Sequence, residues 1–126
     1  MKLTNKKISN DSLLLMEIAR KELPIKVSYA IAKNIAKIEK ELEIYNSERQ
    51  KILDKYCVKD ENGKNKVDEN NQLKIQEKYL KDWEKDIKEL QNIDIEIDIH
   101  KFKLEELNEY KMTPSELIAI DYMIEV

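Results

Sequence analysis

"PIKVSYAIAKNIAKIEKELEIYNSERQKILDKY" (residues 24–56) decides the fold of this chain. The stretch holds no glycine and no proline after Pro24. Ser28, Ile31, Ile35, Ile38, Leu42, Tyr45, Arg49, Ile52 and Tyr56 recur at alternating steps of three and four. That spacing predicts a heptad seam on one long helix. At 1.5 Å per residue the helix spans about 50 Å. A helix of this kind is marginal alone, so its seam needs a partner. Arg49 interrupts the seam and is expected to snorkel, to meet a glutamate or to specify register. Pro24 suits the first turn, where its missing N–H costs nothing.

The flanking segments supply candidate partners. Thr4 is placed to cap a first helix over residues 4–20, with Ile8, Leu14, Leu15, Ile18 and Ala19 as its apolar stripe. Leu80, Trp83, Ile87 and Leu90 predict a third helix over 76–91, long enough to match the distal half of the long one. The economical arrangement is an antiparallel helical hairpin. Between its arms, "DENGKNKV" (60–67) is followed at once by "DENNQLKI" (68–75). Each copy puts turn-forming residues before a strand-like tetrad, so a small hairpin or meander is expected over 57–75. "TPSE" (113–116) spells a capping box, and the apolar arc of Leu117, Ile118, Ile120, Tyr122, Met123 and Ile124 predicts a helix over 114–125. An arc that wide is packed on two sides or docks onto another chain; the internal core is the favoured reading.

"NIDIEIDIHKFK" (92–103) departs from the helical pattern. Ile93, Ile95, Ile97 and Ile99 alternate with Asp94, Glu96 and Asp98, which predicts a strand over 93–100. Its acidic row can face Lys64, Lys66 and Lys74 of the repeat, with the N-terminal "MKLT" as the rival partner. Phe102 has the wrong parity, so the strand is expected to end or bulge near His100. The fold expected is a single, mostly α domain: a long antiparallel helical hairpin, coiled-coil-like, with flanking terminal helices and a small antiparallel β element.

Composition narrows the chemistry. The 126 residues are 41% hydrophobic and 39% charged, with one glycine, one cysteine and one histidine. Glycine scarcity argues against phosphate-cradling loops. A lone Cys57 forbids an internal disulfide and points to a reducing cytoplasm. The N-terminus lacks a signal-peptide core, and no apolar run is long enough to span a membrane. "DENGKNKVDENN" starts like a calcium loop, but Asn65 and Asn71 stand where glycine and a bidentate glutamate are needed. Cys57 and His100 formally make a nucleophile–base pair, yet Cys57 ends a helix, where the dipole opposes a thiolate. No catalytic residue, metal or cofactor is expected.

Charge is uneven along the chain. Residues 1–40 carry nine Lys/Arg against four Asp/Glu, and residues 41–126 carry 14 against 22. Lys26, Lys33 and Lys40 recur every seven residues opposite the seam, with Lys37 beside them. Such a stripe can follow phosphates, but Glu39, Glu41 and Glu43 dilute its field, so a solvated helix face is the favoured reading. The acidic stretch 89–126 holds ten Asp/Glu and three Lys. Candidate partner contacts are Lys26, Lys33, Lys37, Lys40, Asp94, Glu96, Asp98, Tyr122 and Met123.

"MKLTNKKI", "KELPIKVSYAIAKNIAKIEKELEIY", "KVDENNQLKI" and "IDIHKFKLEEL...MTPSELIAIDYMIE" together resemble a family of small uncharacterised phage and prophage proteins of low-GC Gram-positive bacteria. The resemblance covers nearly the whole chain and transfers no catalytic residue. It implies a phage-encoded cytoplasmic accessory protein. The function expected is therefore non-enzymatic: binding another protein, such as a host defence or regulatory factor. Particle assembly and nucleic-acid binding through the lysine stripe are the alternatives. A homo-oligomer closed through the seam is compatible with either.

Overall fold

The computed structural model describes residues 1–70 and 72–125, which form a mostly helical chain. They fall into two compact units, with the boundary inside the long helix. One unit comprises residues 1–42 and the stretch from Asp94 onward, and the other Glu43–Ile93.

The first unit opens with β1 (Lys2–Thr4) and α1 (Asn5–Ala19), followed by the long helix α2 (Ile25–Tyr56). The Thr4 hydroxyl accepts from the Lys7 N–H at 3.1 Å, the cap read from sequence. Pro24 sits just outside α2, and its carbonyl accepts from Ser28 N–H at 2.9 Å. Within this unit α2 buries Val27, Ala30, Ile31, Asn34 and Ile38, while Ile35 and Leu42 are half-buried. Ser28 and, further along, Arg49 are exposed, so the buried stripe departs from the expected seam at both positions. The stripe turns to meet α1 residues Ile8, Leu15 and Ile18 and the inward residues of the C-terminal stretch.

The acidic strand is shorter than its alternation suggests. β2 covers Asp94–Glu96 and pairs antiparallel with β1, with Leu3 opposite Ile95 and Lys2 opposite Glu96. Its partner is thus the N-terminal segment and not the lysines of the repeat. Burying Leu3 with Ile95 sets this register, because a one-residue slip would turn both to solvent. Pairing thus stops at Glu96, ahead of the end or bulge expected near His100. Ile97 and Phe102 both point inward, at odd spacing, and pairing resumes at β3 (Phe102–Lys103).

The tail differs from the expected 114–125 helix. α4 covers only Pro114–Ala119, with the full capping box between Thr113 and Glu116. A 3₁₀ turn comes next at Asp121–Met123, then β4 (Ile124–Glu125), which runs parallel to β3. A single short helix cannot turn so wide an apolar arc toward one neighbour. Leaving helical geometry after Ala119 lets Ile120, Tyr122 and Met123 all enter the core. Ile118 alone stays well outside, at 65% exposure.

Tyr122 and Met123 are therefore core residues and not surface contacts. Burial, with help from Asp11 and Asp121, pushes the Tyr122 hydroxyl up to about 12 from its ordinary 10. The folded chain holds that proton more tightly than the unfolded one. Stability from Tyr122 is complete below pH 10 and is lost as the pH rises toward 12. Urea midpoints should fall across that window, and Tyr122→Phe should flatten the fall. Superimposable pH curves for the two proteins would refute this.

The second unit contains the distal part of α2, the repeat, a 3₁₀ turn (Glu77–Tyr79) and α3 (Leu80–Gln91). Its buried residues are Tyr45, Leu53, Tyr56, Cys57 and Leu90. The Tyr56 hydroxyl donates to Asp86 of α3 at 2.7 Å, and its ring meets that of Tyr79 at 5.6 Å.

The repeat is not a simple hairpin. Three isolated bridges join Cys57 to Ile75, Lys59 to Asn65 and Val67 to Leu73. Val58 N–H donates to the Lys74 carbonyl at 2.8 Å, Lys74 N–H to Lys66 at 3.0 Å, and Lys66 N–H to Val58 at 2.7 Å, closing a ring. These three residues lie eight apart, the period of the repeat. Asp60 Oδ1 accepts from the N–H groups of Asn62 and Lys64, and Asp68 Oδ1 from those of Asn70 and Gln72, all within 3.0 Å. The two sequence copies thus make the same aspartate-centred turn. Gly63 supplies the positive φ of +76° in the first. Asn71, the last position of the failed calcium loop, lies outside the described residues.

Candidate functional site

The candidate site lies in the first unit, where the outer face of α2 meets residues 100–103. Lys26, Tyr29 and Lys33 succeed one another at steps of three and four, so they share a face. Asn34, the next residue after Lys33, is fully buried. Its carboxamide donates to the His100 carbonyl and accepts from the His100 N–H, both at 2.8 Å. A side-chain amide here completes what a neighbouring strand would otherwise provide. It holds the backbone at His100 against α2 and sets the His100 ring edge-on to Tyr29, with centroids 5.7 Å apart.

Pairing of β3 with β4 then orients residues 101–103. Phe102 enters the core, while its neighbours Lys101 and Lys103 are exposed. The result is an open groove of about 660 Å³ lined by Lys26, Tyr29, His100, Lys101 and Lys103, together with the carboxylates of Glu105, Glu106 and Glu125. Tyr29 is 54% exposed. The Lys33 ammonium stands over its ring at 5.4 Å.

Of the lysine stripe, then, the structure brings Lys26 and Lys33 to this site. Lys37 donates instead to the Asp98 carbonyl, with the Asp98 carboxylate 4.0 Å away. Lys40 is exposed further along α2. The acidic row also divides: Asp94 faces Thr4 across the sheet, Glu96 faces Lys2, and Asp98 is fully exposed. Glu96 accepts from the Met1 amino group at 2.8 Å, which holds its carboxyl below the usual range. Tyr29, His100, Lys101 and Lys103 are absent from the contacts expected from sequence. Tyr29 was legible there, because it falls between Lys26 and Lys33 on one face. The other three depend on the Asn34 clamp, which no local pattern announces.

Elsewhere, Glu116 is buried at the capping box. The Thr113 N–H first, and then the Lys21 ammonium at 3.0 Å, hold its carboxyl low. Burial pushes the Cys57 thiol up, with Lys59 only partly opposing it. Cys57 and His100 belong to different units. Among the described residues no three His, Cys, Asp or Glu side chains gather closely enough to hold an ion. No helix among them is long and apolar enough to cross a membrane. No family model, curated protein or solved structure matches the chain.

Proposed function

We propose that this is a non-enzymatic, phage-encoded accessory protein that acts in the host cytoplasm by binding another protein. The observation that carries the reading is apolar surface left outside a well-filled core. In the first unit Leu13 is 80% exposed and Met16 46%, three residues apart on the outer face of α1. Large side chains exposed as a pair on one helix face suit a contact surface better than chemistry does. The partner class is a host defence or regulatory factor, inhibited by occupation of its surface.

In this reading the distal part of α2 and α3 form an antiparallel, coiled-coil-like hairpin. The Tyr56–Asp86 and Tyr56–Tyr79 contacts support it. Any homo-oligomer would use the remaining seam.

The test is affinity capture from infected host cells with the tagged full chain. A host protein should co-purify stoichiometrically with the wild type and be lost with Leu13→Glu/Met16→Glu. Ile44→Glu, at an exposed position of the second unit, should retain it. Equal recovery with all three baits would overturn the role of α1. Recovery of virion proteins alone would move the function to particle assembly.

A further inference from the structure

We propose that the groove between Tyr29 and the 100–103 segment binds single-stranded nucleic acid, preferring bases that carry an exocyclic amino group. This rests on observations independent of the protein-binding reading, and on a surface different from the α1 face.

Three kinds of group converge there, and a single-stranded nucleotide uses all three. An exposed aromatic face gives a base something to stack on, and every base has such a face. Tyr29 supplies it, steadied on one side by the His100 ring. Cations close by neutralise the phosphate that joins one nucleotide to the next. Lys26, Lys101 and Lys103 line the same groove, and Lys33 adjoins Tyr29. The carboxylates Glu105, Glu106 and Glu125 complete the lining. A carboxylate only accepts hydrogen bonds, so it pairs with the amino group of cytosine, adenine or guanine and has less to gain from thymine.

The balance of charge also discriminates against duplex. A duplex presents phosphates on its outside and would bring them against the glutamates without offering a base to Tyr29. A splayed single strand places base and phosphate in different parts of the groove. The groove is open and not enclosed, as a site for a continuing strand must be.

Fluorescence anisotropy with labelled oligonucleotides tests this on the full chain. A twelve-residue oligo-dC should bind, weaken as salt is raised, and bind several-fold tighter than oligo-dT or a duplex of equal length. Tyr29→Ala should weaken binding about 5-fold to 150-fold, the range found when a stacking aromatic is removed. Tyr29→Phe, which keeps the ring, should bind like the wild type. Lys101→Glu/Lys103→Glu should weaken binding at least about tenfold at low salt and flatten the salt dependence. Lys81→Glu/Lys85→Glu, on α3 of the other unit, should have no effect. All these side chains are exposed, and unchanged circular dichroism will verify that each variant folds.

Absence of oligo-dC binding at low salt would overturn the proposal. So would equal affinity for duplex, or a Tyr29→Ala loss under twofold. Equal loss from the α3 variant would reduce the effect to diffuse charge. Competition by cytidine monophosphate at the same concentration as the oligomer would overturn the strand in favour of a free nucleotide.

Discussion

Asn34→Leu is expected to destabilise the first unit by about 2–4 kcal/mol, because two backbone groups of His100 lose the Asn34 carboxamide at once. Leucine has the same number of side-chain heavy atoms, so the substitution leaves no cavity behind. The side chain is fully buried, and water does not readily replace it. Asn34→Asp should cost at least as much at pH 7, since it keeps the acceptor for His100 N–H but turns an anion toward the His100 carbonyl. Urea denaturation followed at 222 nm gives the free energy. Amide exchange at His100 gives the location, and it should accelerate in Asn34→Leu far more than at Ile8 or Leu15. A loss under about 0.5 kcal/mol, the range of ordinary surface substitutions, would mean that the clamp is not formed. The same variant bears on the groove, because the clamp positions His100, Lys101 and Lys103 beside Tyr29.

Met123→Ala is expected to cost about 2–5 kcal/mol, the usual range for emptying a fully buried site of this size. Its chain neighbour in pattern, Ile118, is 65% exposed, and Ile118→Ala should lie within about 0.5 kcal/mol of the wild type. The two positions belong to the same apolar arc in sequence, so their contrast measures the turn from helix to strand after Ala119. Protein concentration is the second variable. A core residue shifts the unfolding midpoint equally at all concentrations, whereas an interface residue makes the shift depend on concentration. A small or concentration-dependent effect at Met123 would return the tail to a docking role.

Much of the local structure was legible because its causes are local. Thr4 and Thr113 cap helices through bonds that reach only three residues ahead. The two copies of the repeat make matching turns because Asp60 and Asp68 each find the same two backbone donors within four residues. Phe102 lying out of step with the isoleucines signalled that one strand could not run on through it, but not that pairing would stop as early as Glu96. The seam was less faithful: Ser28 and Arg49 fit its spacing but are exposed, while Val27, Ala30, Asn34 and Leu53 are buried beside it. Heptad spacing describes a helix meeting one straight partner. α2 in the first unit meets α1, Ile97, Phe102 and the tail, and a wider face is buried.

The sequence by itself determined where helices start, where turns fall, which strand changes parity and which residues are apolar enough to need cover. These properties depend on neighbours within about one helical turn or one strand pair, so the order of residues encodes them directly. Only the tertiary structure decided that β2 pairs with the N-terminus, that the tail ends as a strand beside Phe102, and that a buried asparagine on α2 grips His100. Each joins residues 22 to 94 positions apart. At such separations many surfaces of similar polarity compete. The winner is the arrangement that buries the most apolar area while leaving no backbone group unpaired, which is a property of the whole packed unit.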